Sequence, residues 1–398
     1  MIDLDSQLAA AIKVLDILNN YGHKAFFVGG FVRDYLLHIP TDDIDIATDA
    51  TPGEVAAVFS LTKPTGVKYG TVTVFVGKYK FEVTTFRKEG GYTDYRHPET
   101  IDFSDSLEED LKRRDFTINA MAMSAQMEVI DPFNGRDDLK KRLIRAVGDP
   151  NERFQEDALR ILRAFRFVAK LGFSLEEKTS QALVKSIRLL EKIASERIIG
   201  ELEKIISYPK AHLALKMMYE HQMGDAIKDL KKALELISTR TFYNLSVWEF
   251  YALSFYLMGY TDIPKEWRFS NKERKHIAAL TELVQATIDK PFSRLLVYRY
   301  GLDLCLSANR ILLYLGQPIN QEDVVRDIWN HLSIRSPREL DFGAEDIKTG
   351  WPEIDERLIG STLDEVVNAV VIGKLQNNKD EILEYVKKIL EKKRTELE

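Results

Sequence analysis

The segment Val28-Gly29-Gly30-Phe31-Val32-Arg33-Asp34 decides the fold of this chain, together with Asp43-Ile44-Asp45, which follows after eight intervening residues. The apolar run at 25–28 predicts a strand that ends at the glycines, where a helix begins. Side chains alternate along a strand, so Asp43 and Asp45 are expected to point the same way. Adjacent carboxylates repel each other unless a cation lies between them, and Mg²⁺ suits carboxylate and phosphate oxygens together.

The glycine turn and Arg33 favour an anion beside these carboxylates. Glycines before a helix leave backbone N–H groups that can hold a triphosphate. Arg33 lies in the first helical turn, where a positive charge opposes the helix dipole, so a bound anion would explain its position. The ordinary alternatives are a simple turn, a solvated strand end and a surface ion pair of Arg33 with Asp34, which contributes little. The combination predicts a nucleotidyl-transfer site.

The composition is that of an ordinary globular protein. With 398 residues, 45% of them hydrophobic and 30% charged, the chain predicts two to four domains. The single cysteine, Cys305, excludes a disulfide framework and a cysteine-based zinc site. We expect a cytoplasmic protein, because no signal-peptide pattern or apolar run of the ~18–20 residues of a membrane span is found. A net charge of −6 argues against a uniformly basic nucleic-acid binder but permits a basic patch.

The pattern of predicted elements changes near Pro150. The first part mixes both kinds of element, which predicts an α+β fold. Its predicted helices are 8–18 and 52–59, and its predicted strands are 25–28, 44–47, 71–76, 79–87 and 128–130. Beyond Pro150, helix-period patterns dominate to the end of the chain, and 248–260 is the most apolar of them.

A second motif is Arg113-Arg114-Asp115-Phe116-Thr117-Ile118-Asn119-Ala120-Met121. Two arginines beside an Asp and an Asn are compatible with the end of a surface helix. They are equally compatible with a triphosphate clamp, in which Asp115 and Asn119 serve the ribose or the geometry of the loop. The motif alone leaves both interpretations open.

A third segment places charged residues at every third position of a predicted helix. They form a stripe beside a core face of Leu159, Leu162, Phe165 and Phe167, and the stripe itself is Asp157, Arg160, Arg163 and Arg166. A solvated face with internal ion pairs is the ordinary interpretation. The stripe holds more positive charge than one acid balances, which favours an external anion or a nucleobase.

The pairing of Asp157 with Arg160 predicts a specific selectivity. A carboxylate only accepts hydrogen bonds and a guanidinium only donates them. Cytosine and adenine both present an amino donor beside a ring acceptor, whereas uracil and guanine present a carbonyl where the Asp needs a donor. Such a pair would select C and A without a nucleic-acid template, each correct set of bonds contributing about 1–3 kcal/mol.

In this order, the three segments resemble the class II tRNA nucleotidyltransferases, the CCA-adding enzymes of the poly(A) polymerase family, most of all the Firmicutes type. The matching motifs lie between Gly29 and Arg166, and weaker likeness continues through 196–202 and 343–386. The resemblance implies an α+β, polymerase-β-like nucleotidyltransferase head followed by an all-α neck, body and tail. The expected boundaries are head 1–148, neck 149–207 for base selection, body 208–300, and tail 301–398 for tRNA binding.

The resemblance also implies roles for single residues. Asp43 and Asp45 would be the catalytic residues and would bind Mg²⁺, the expected cofactor. The residues implied in nucleotide binding are Gly30, Arg33, Arg114, Asp157, Arg160, Arg163 and Arg166. Relatives usually carry a third carboxylate on a following strand, for which Glu82 is the best match. The segment 88–98 matches a flexible loop whose presence in the family goes with A addition.

The implied activity is template-independent addition of CCA to tRNA. The 3′-hydroxyl of tRNA would attack the α-phosphorus of CTP or ATP with two-metal assistance, and pyrophosphate would leave. The alternatives are a poly(A) polymerase, a CC-only or A-only enzyme, and a non-catalytic RNA-binding relative. The sequence leaves the oligomeric state open, a homodimer included. It also leaves open whether basic residues of body and tail contact phosphates, among them Lys231, Lys232, Lys272, Arg274 and Lys275.

Overall fold

The computed structural model describes residues 4–92, 98–240 and 244–397. The chain divides into two compact units, Met1–Ser238 and Thr239–Glu398. The first unit combines a mixed sheet with helices, and the described part of the second is helical. The predicted α+β head followed by helical regions is therefore confirmed. The finer division into head, neck, body and tail stays a prediction.

The strands all belong to the first unit. They are β1 (Ala25–Val28), β2 (Asp45–Thr48), β3 (Thr62–Gly66), β4 (Thr71–Val76), β5 (Tyr79–Thr85), β6 (Arg87–Tyr92), β7 (Pro98–Phe103), β8 (Ala122–Met123), β9 (Val129–Ile130), β10 (Leu143–Ile144) and β11 (Ser174–Leu175).

The helices continue to the end of the described chain. Those that begin in the first unit are α1 (Leu4–Asn20), α2 (Gly30–Leu36), α3 (Pro52–Val58), α4 (Leu107–Lys112), α5 (Gly135–Lys141), α6 (Pro150–Glu156), α7 (Leu159–Leu171), α8 (Glu177–Ser186), α9 (Ser195–Ser207), α10 (Ala211–Glu220), α11 (Met223–Ala226) and α12 (Lys231–Thr239). Those of the second are α13 (Val247–Met258), α14 (Asn271–Thr287), α15 (Arg294–Tyr314), α16 (Glu322–Asn330), α17 (Ala344–Gly350), α18 (Glu356–Val371) and α19 (Lys379–Leu397).

The main sheet has the order β3-β4-β5-β2-β1-β8-β9. Strand β2 lies at its centre, antiparallel to β1 and parallel to β5. In this register Asp45 stands opposite Val28, the last residue before the glycine turn, and opposite Glu82 on the other side. Strand β2 begins at Asp45, so Asp43 lies two residues before it, and the prediction that both aspartates stand on one strand is wrong for Asp43.

Local sequence signals explain several elements around this sheet. Helix α3 begins with Thr51 as N-cap and Pro52 in its first turn, and Thr51 and Glu54 form a reciprocal capping box. The β4–β5 hairpin turns at Gly77, whose φ of 60° favours glycine. Both elements were predicted at these positions, because caps and tight turns depend on a few adjacent residues.

A buried cluster packs beneath the central strands. Its members come from β1, β2, α4 and neighbouring segments, and they are Val28, Ala47, Phe86, Leu111, Ala120, Ala122 and Val147. Close packing of this kind fixes the backbone on which the polar residues stand. Strands β6 and β7 form a separate antiparallel ribbon. Residues 93–97 of the predicted flexible loop lie outside the described residues.

The second unit is built on apolar helices. Helix α13 is buried along most of its length, as predicted for the apolar stretch there. The guanidinium of Arg274, for which the sequence left a phosphate contact open, donates to the backbone carbonyls of Ile263, Pro264 and Trp267, so this side chain stabilises a loop. Within the ranges that the structure describes, no helix is both long and apolar enough to cross a membrane.

Candidate active site

A cavity of about 870 Å³ in the first unit gathers the nine residues predicted for catalysis and nucleotide binding, whereas Glu82, the candidate third carboxylate, is not in its lining. Its lining includes Gly30, Arg33, Asp43, Asp45, Arg114, Asp157, Arg160, Arg163 and Arg166. They come from β2, the turn after β1, the segment after α4, and the α6–α7 region. Residues more than 100 positions apart in the sequence thus face one space, whose volume is within the range of small-molecule sites.

The carboxylates of Asp43 and Asp45 lie close enough to influence each other. Burial, together with the negative charges of Asp43 and Glu82, raises the pKa of Asp45 to about 6 against the opposing charge of Arg114. Asp43 is exposed and Asp45 is half-buried. Crowded carboxylates of this kind are stabilised by a cation, as the sequence predicted.

The donor set of these two aspartates fits a hard divalent cation such as Mg²⁺. Among the residues that the structure describes, no group of three or more His, Cys, Asp or Glu side chains is placed to hold a metal ion. The exposed carboxylate of Glu82 therefore does not join Asp43 and Asp45 in such a group here. The two aspartates would share the cation with oxygen atoms supplied from outside the protein.

The turn before α2 requires its first glycine. Gly29 has φ 68° and ψ −130°, a backbone conformation that side chains rarely adopt. A Cβ atom there would also lie 2.9 Å from Nη1 of Arg114. The guanidinium of Arg114 thus lies directly over the turn and beside Asp45, while its Nη2 donates to Asp110 at 3.1 Å.

Arg33 is buried and already has partners within the protein. Its Nε and Nη2 donate to the two carboxylate oxygens of Asp34 at 2.8 and 2.9 Å. Its Nη1 donates to Oδ1 of Asn119 at 2.6 Å, and Lys170 also donates to Asp34. The alternative of a surface ion pair is wrong, because both side chains are nearly inaccessible to solvent. An external anion is therefore not needed to explain why Arg33 is placed here.

The second motif supplies a bridge between elements. Nδ2 of Asn119 donates to Asp115 at 3.0 Å, and Nε of Arg163 donates to the same carboxylate at 2.8 Å. Burial would raise the pKa of Asp115, but Arg163, Asn119 and Arg160 outweigh it and hold that pKa well below its usual range. A continuous polar chain thus runs from Arg33 through Asn119 and Asp115 to Arg163 in α7.

The predicted charged stripe is interrupted at its first residue. Asp157 has extended backbone angles between α6 and α7, so it does not belong to one helix with the three arginines. Its Oδ1 accepts the N–H of Leu159 at 3.1 Å, and both of its oxygens accept from Nη2 of Arg197 at 3.2 Å. The side chain of Asp157 thus caps the start of α7, and the three-residue spacing of the charged residues did not predict this.

Arg160 is held by three separate groups. Its Nη1 donates to Glu156 and to the carbonyl of Arg153, and its Nη2 donates to the carbonyl of Arg113 at 2.9 Å. It is 8% exposed, so its position is fixed by these contacts. Arg160 and Asp157 line the same cavity, and the hydrogen bond described between them joins their backbones, from the N–H of Arg160 to the carbonyl of Asp157 at 3.0 Å.

The remaining arginines of the stripe find acids on other elements. Arg166 donates to the buried Glu201 of α9 at 3.1 Å, as Lys204 does. Burial and the charge of Arg163 lower the pKa of Arg166, against the effect of Glu201. The sequence predicted that the stripe holds more positive charge than one acid balances, and Asp115, Glu156 and Glu201 on other parts of the chain offset part of this excess.

Sequence reasoning missed part of this network. The spacings of Asp110 with Arg113 and Arg114, and of Glu156 with Arg160, are visible as i, i+3 and i, i+4 pairs. The pairs of Arg166 with Glu201 and of Lys170 with Asp34 gave no such signal, since they join residues that are 35 and 136 positions apart. Phe167 had been assigned to the core, yet it lines the cavity with three guanidinium groups 5.1–6.0 Å from its ring.

The cavity is electropositive within a chain of negative net charge. Ten lysines and arginines but only four aspartates are among its lining residues. Further buried acids behind this wall, such as Asp34, Asp110 and Glu201, neutralise part of the excess. A polyanion would complete the balance, since a cavity walled by protein strengthens the attraction between charges.

A mixed sheet with paired aspartates at its centre, beneath an arginine-lined cavity, defines the protein as a nucleotidyltransferase with a poly(A) polymerase type of head. The family model described as "Poly A polymerase head domain" matches residues 25–145. Two further models, for an RNA-binding site of polymerase A and for tRNA nucleotidyltransferase domain 2, match residues 172–235 and 245–386.

The chain belongs to the family of the CCA-adding enzymes. It is 38% identical to the CCA-adding enzyme of Anoxybacillus flavithermus, covering 96% of this chain and 97% of the relative. That of Bacillus mycoides is 36% identical, covering 95% and 98%. The solved structure of the Bacillus stearothermophilus CCA-adding enzyme in complex with CTP has a TM-score of 0.84 and 32% identity, covering both chains completely. The predicted family, fold class and enzyme class are thereby confirmed.

Proposed function

We propose that the chain adds CCA to the 3′ end of tRNA within this cavity, with Asp43 and Asp45 as the catalytic carboxylates. The observation that carries the proposal is the convergence of both aspartates and the predicted arginines on one cavity of about 870 Å³. Family membership supplies the class of reaction, nucleotidyl transfer. Solved relatives in complex with CTP and with ATP support both nucleotides as substrates.

Asp43 and Asp45 supply carboxylate oxygens at the site of transfer. These carboxylates would hold divalent cations, Mg²⁺ in our proposal, which would lower the pKa of an attacking hydroxyl and neutralise charge on the departing pyrophosphate. The 3′-hydroxyl of tRNA attacks the α-phosphorus, and the bond to the β-phosphate oxygen breaks. The protein forms no covalent intermediate, so a Ser-His-Asp or Cys-His arrangement is not required.

The nucleotide is held by residues on either side of the glycine turn. Gly30 and Arg114 lie next to the aspartates, where they suit the triphosphate. Arg33, Arg163 and Arg166 add positive charge while their own acids keep them in place. A guanidinium fixed in advance loses less conformational entropy when it binds phosphate.

Base selection falls to Asp157 and Arg160. Asp157 accepts from Arg197, and the amino group of cytosine or adenine can take over part of that contact. Uracil and guanine present a carbonyl oxygen at that point, so the half-buried carboxylate of Asp157 would face a second acceptor instead of a donor. We predict that Asp157→Ala raises the incorporation of UTP and GTP relative to CTP. Unchanged selectivity in competition assays would remove Asp157 from this role.

The proposal extends to the partner, the cellular compartment and the oligomeric state of the enzyme. tRNA is the macromolecular partner, in line with the fold shared with the Thermotoga maritima CCA-adding enzyme complexed with tRNA_CCA, at a TM-score of 0.64. We place the enzyme in the cytoplasm, where a single free cysteine is chemically stable. A homodimer is a further proposal, which light scattering at several concentrations tests.

The deciding experiment supplies Mg²⁺, a tRNA lacking its 3′ end, and each labelled nucleoside triphosphate singly, then CTP with ATP. We expect two C residues followed by one A. Long A tails would instead indicate a poly(A) polymerase. Addition limited to CC or to A would indicate a CC-only or A-only enzyme. No incorporation would indicate a non-catalytic RNA binder.

Variants connect the activity to the aspartates. Asp43→Ala combined with Asp45→Ala should abolish transfer and leave the fold intact. The matched control is Asp42→Ala, because Asp42 is an exposed neighbouring acid that is absent from the cavity lining. Turnover by the double variant at the rate of the control would overturn the assignment.

A further inference from the structure

An exposed tyrosine lies at the edge of the cavity and has no role in nucleotide binding as described above. Tyr69 closes a short 3-10 turn, Val67–Tyr69, just before β4. Its side chain lines the cavity and is 39% exposed. Of the other aromatic residues in the lining, Phe167 is buried and Tyr208 is half-buried. Tyr69 therefore presents the most accessible ring in this lining.

The ring is held in place and surrounded by positive charge. Nη1 of Arg87 donates to the backbone carbonyl of Tyr69 at 2.6 Å, and its guanidinium carbon lies 6.0 Å from the ring centroid. The carbonyl of Gly70 accepts the N–H of Thr85 at 3.0 Å, which ties the turn to β5. Nζ of Lys68 lies 6.0 Å from the same ring. An aromatic face beside two cations is a common way to bind single-stranded nucleic acid.

The sheet topology separates this tyrosine from the nucleotide-binding arginines. Catalytic strand β2 has β1 and β8 on one side, and on the other side it has β5 and β4. Gly30 and Arg33 follow β1, and Arg114 lies over the turn after β1. Tyr69 belongs to the opposite side, since its turn leads into β4.

The distance along the sheet between Asp45 and the turn at Tyr69 also fits the binding of an RNA acceptor. Thr85 stands three residues beyond Glu82, which is opposite Asp45, so the turn at Tyr69 is displaced by about 10 Å along β5. In nucleotidyl transfer the catalytic carboxylates lie between the α-phosphate and the attacking hydroxyl. If the triphosphate occupies the β1 side, the acceptor must approach from the β5 side.

We propose that Tyr69, supported by Arg87, is a stacking platform for the base at the 3′ end of the RNA acceptor. The platform holds the terminal nucleotide so that its 3′-hydroxyl reaches Asp43 and Asp45. Stacking tolerates different bases, which suits an acceptor whose last base changes as the end grows. The proposal rests on the proposed function, because it assigns the second substrate of the same site.

Steady-state kinetics separates the two substrates. We expect Tyr69→Ala to raise KM for tRNA lacking CCA tenfold or more at saturating CTP, and to leave KM for CTP within twofold. Tyr69→Phe keeps the ring and should keep the wild-type KM for tRNA. The matched control is Tyr21→Ala, an exposed tyrosine of the same unit that is not among the cavity-lining residues.

A spectroscopic readout distinguishes stacking from a purely structural role. We would place 2-aminopurine at the 3′ terminus of the acceptor and compare its fluorescence with each enzyme variant. Stacking on Tyr69 predicts quenching with the wild type, with Tyr69→Phe and with Tyr21→Ala, and its loss with Tyr69→Ala.

Three results would overturn the proposal. The first is that Tyr69→Ala and Tyr21→Ala have the same KM for tRNA. The second is that Tyr69→Ala raises only the KM for CTP. The third is that Tyr69→Phe raises the KM for tRNA as much as Tyr69→Ala does. Failure of the proposed function is distinct from these, because the wild-type enzyme would then incorporate no nucleotide.

Discussion

The position of the Asp45 side chain lowers the stability of the folded enzyme. Asp45 is half-buried beside Asp43, and burial together with that neighbouring charge raises its pKa to about 6. An ionised carboxylate in such a position destabilises the folded state relative to the unfolded chain. A binding site for a cation is expected to carry this kind of penalty, because the charge is arranged for the ligand.

This penalty predicts the pH dependence of an Asp45→Asn variant. Above pH 6, Asp45 is ionised in both states, and the shift of its pKa from 3.8 to about 6 means that the variant should be more stable by about 3 kcal/mol without metal. Between pH 6 and 4 the folded wild type binds its proton first, so the difference shrinks, and it vanishes below pH 4. Urea denaturation in EDTA measures it.

The control for this prediction is Asp42→Asn, the exposed neighbour. It should show no pH-dependent gain, since an exposed carboxylate has little to lose on folding. Adding Mg²⁺ should stabilise the wild type and not Asp45→Asn, because the cation binds only the ionised pair. An Asp45→Asn variant no more stable than the wild type at pH 8 would contradict the electrostatic description of the site.

At the scale of elements, the cavity depends on bridges between helices and turns that are far apart in the sequence. Asn119 belongs to the 3-10 helix Thr117–Asn119, donates to Asp115 and accepts from Arg33 of α2. Asp115 in turn accepts from Arg163 of α7. The polar chain therefore joins the glycine-turn helix to the helix that carries the arginine stripe.

Loss of this bridge should lower the free energy of unfolding. Asn119→Ala leaves Nη1 of Arg33 without its Asn119 acceptor and removes a donor from Asp115, both at buried positions. Hydrogen bonds to charged groups typically contribute 1.5–3 kcal/mol, so we expect a loss of about 2 kcal/mol in the free energy of unfolding. Asn151→Ala, which removes an exposed bond to Asp149, is the control. Equal stability of the two variants in chemical denaturation would show that the bridge contributes nothing.

At the scale of the whole molecule, the two compact units respond to different probes. All residues that line the cavity lie in Met1–Ser238. All four tryptophans, Trp248, Trp267, Trp329 and Trp351, lie in Thr239–Glu398. Cys305 is buried in the same unit, where burial raises the pKa of its thiol to about 12 and makes it unreactive in the folded protein.

This distribution predicts that nucleotide binding stabilises one unit and not the other. CTP with Mg²⁺ should raise the melting midpoint of the first unit by several degrees. In far-UV circular dichroism this unit gives the transition that tryptophan fluorescence does not report. The midpoint of tryptophan fluorescence and the rate of Cys305 labelling should not change. The double Asp43→Ala, Asp45→Ala variant is the control without Mg²⁺ binding. A matching rise in the tryptophan midpoint would mean that the units unfold together.

How much could be predicted from the sequence depended on the range of the interaction. Strand β1, the capped helix α3 and the β4–β5 hairpin were predicted within a residue or two, because their signals lie in adjacent residues. The nine site residues were predicted from three motifs, and all nine line one cavity. Their roles in the reaction stay predictions.

The sequence by itself determined which chemical groups the enzyme has and where its local elements begin and end. Only the tertiary structure decided their distant partners: Asp34 accepts from Lys170, Arg166 donates to Glu201, and Asp157 lies in a break between helices. Ion pairs between distant elements carry no periodic signal, since a charge can pair with any opposite charge that folding brings within about 4 Å. The fold, and not the motifs, therefore decided which arginines have acids of their own.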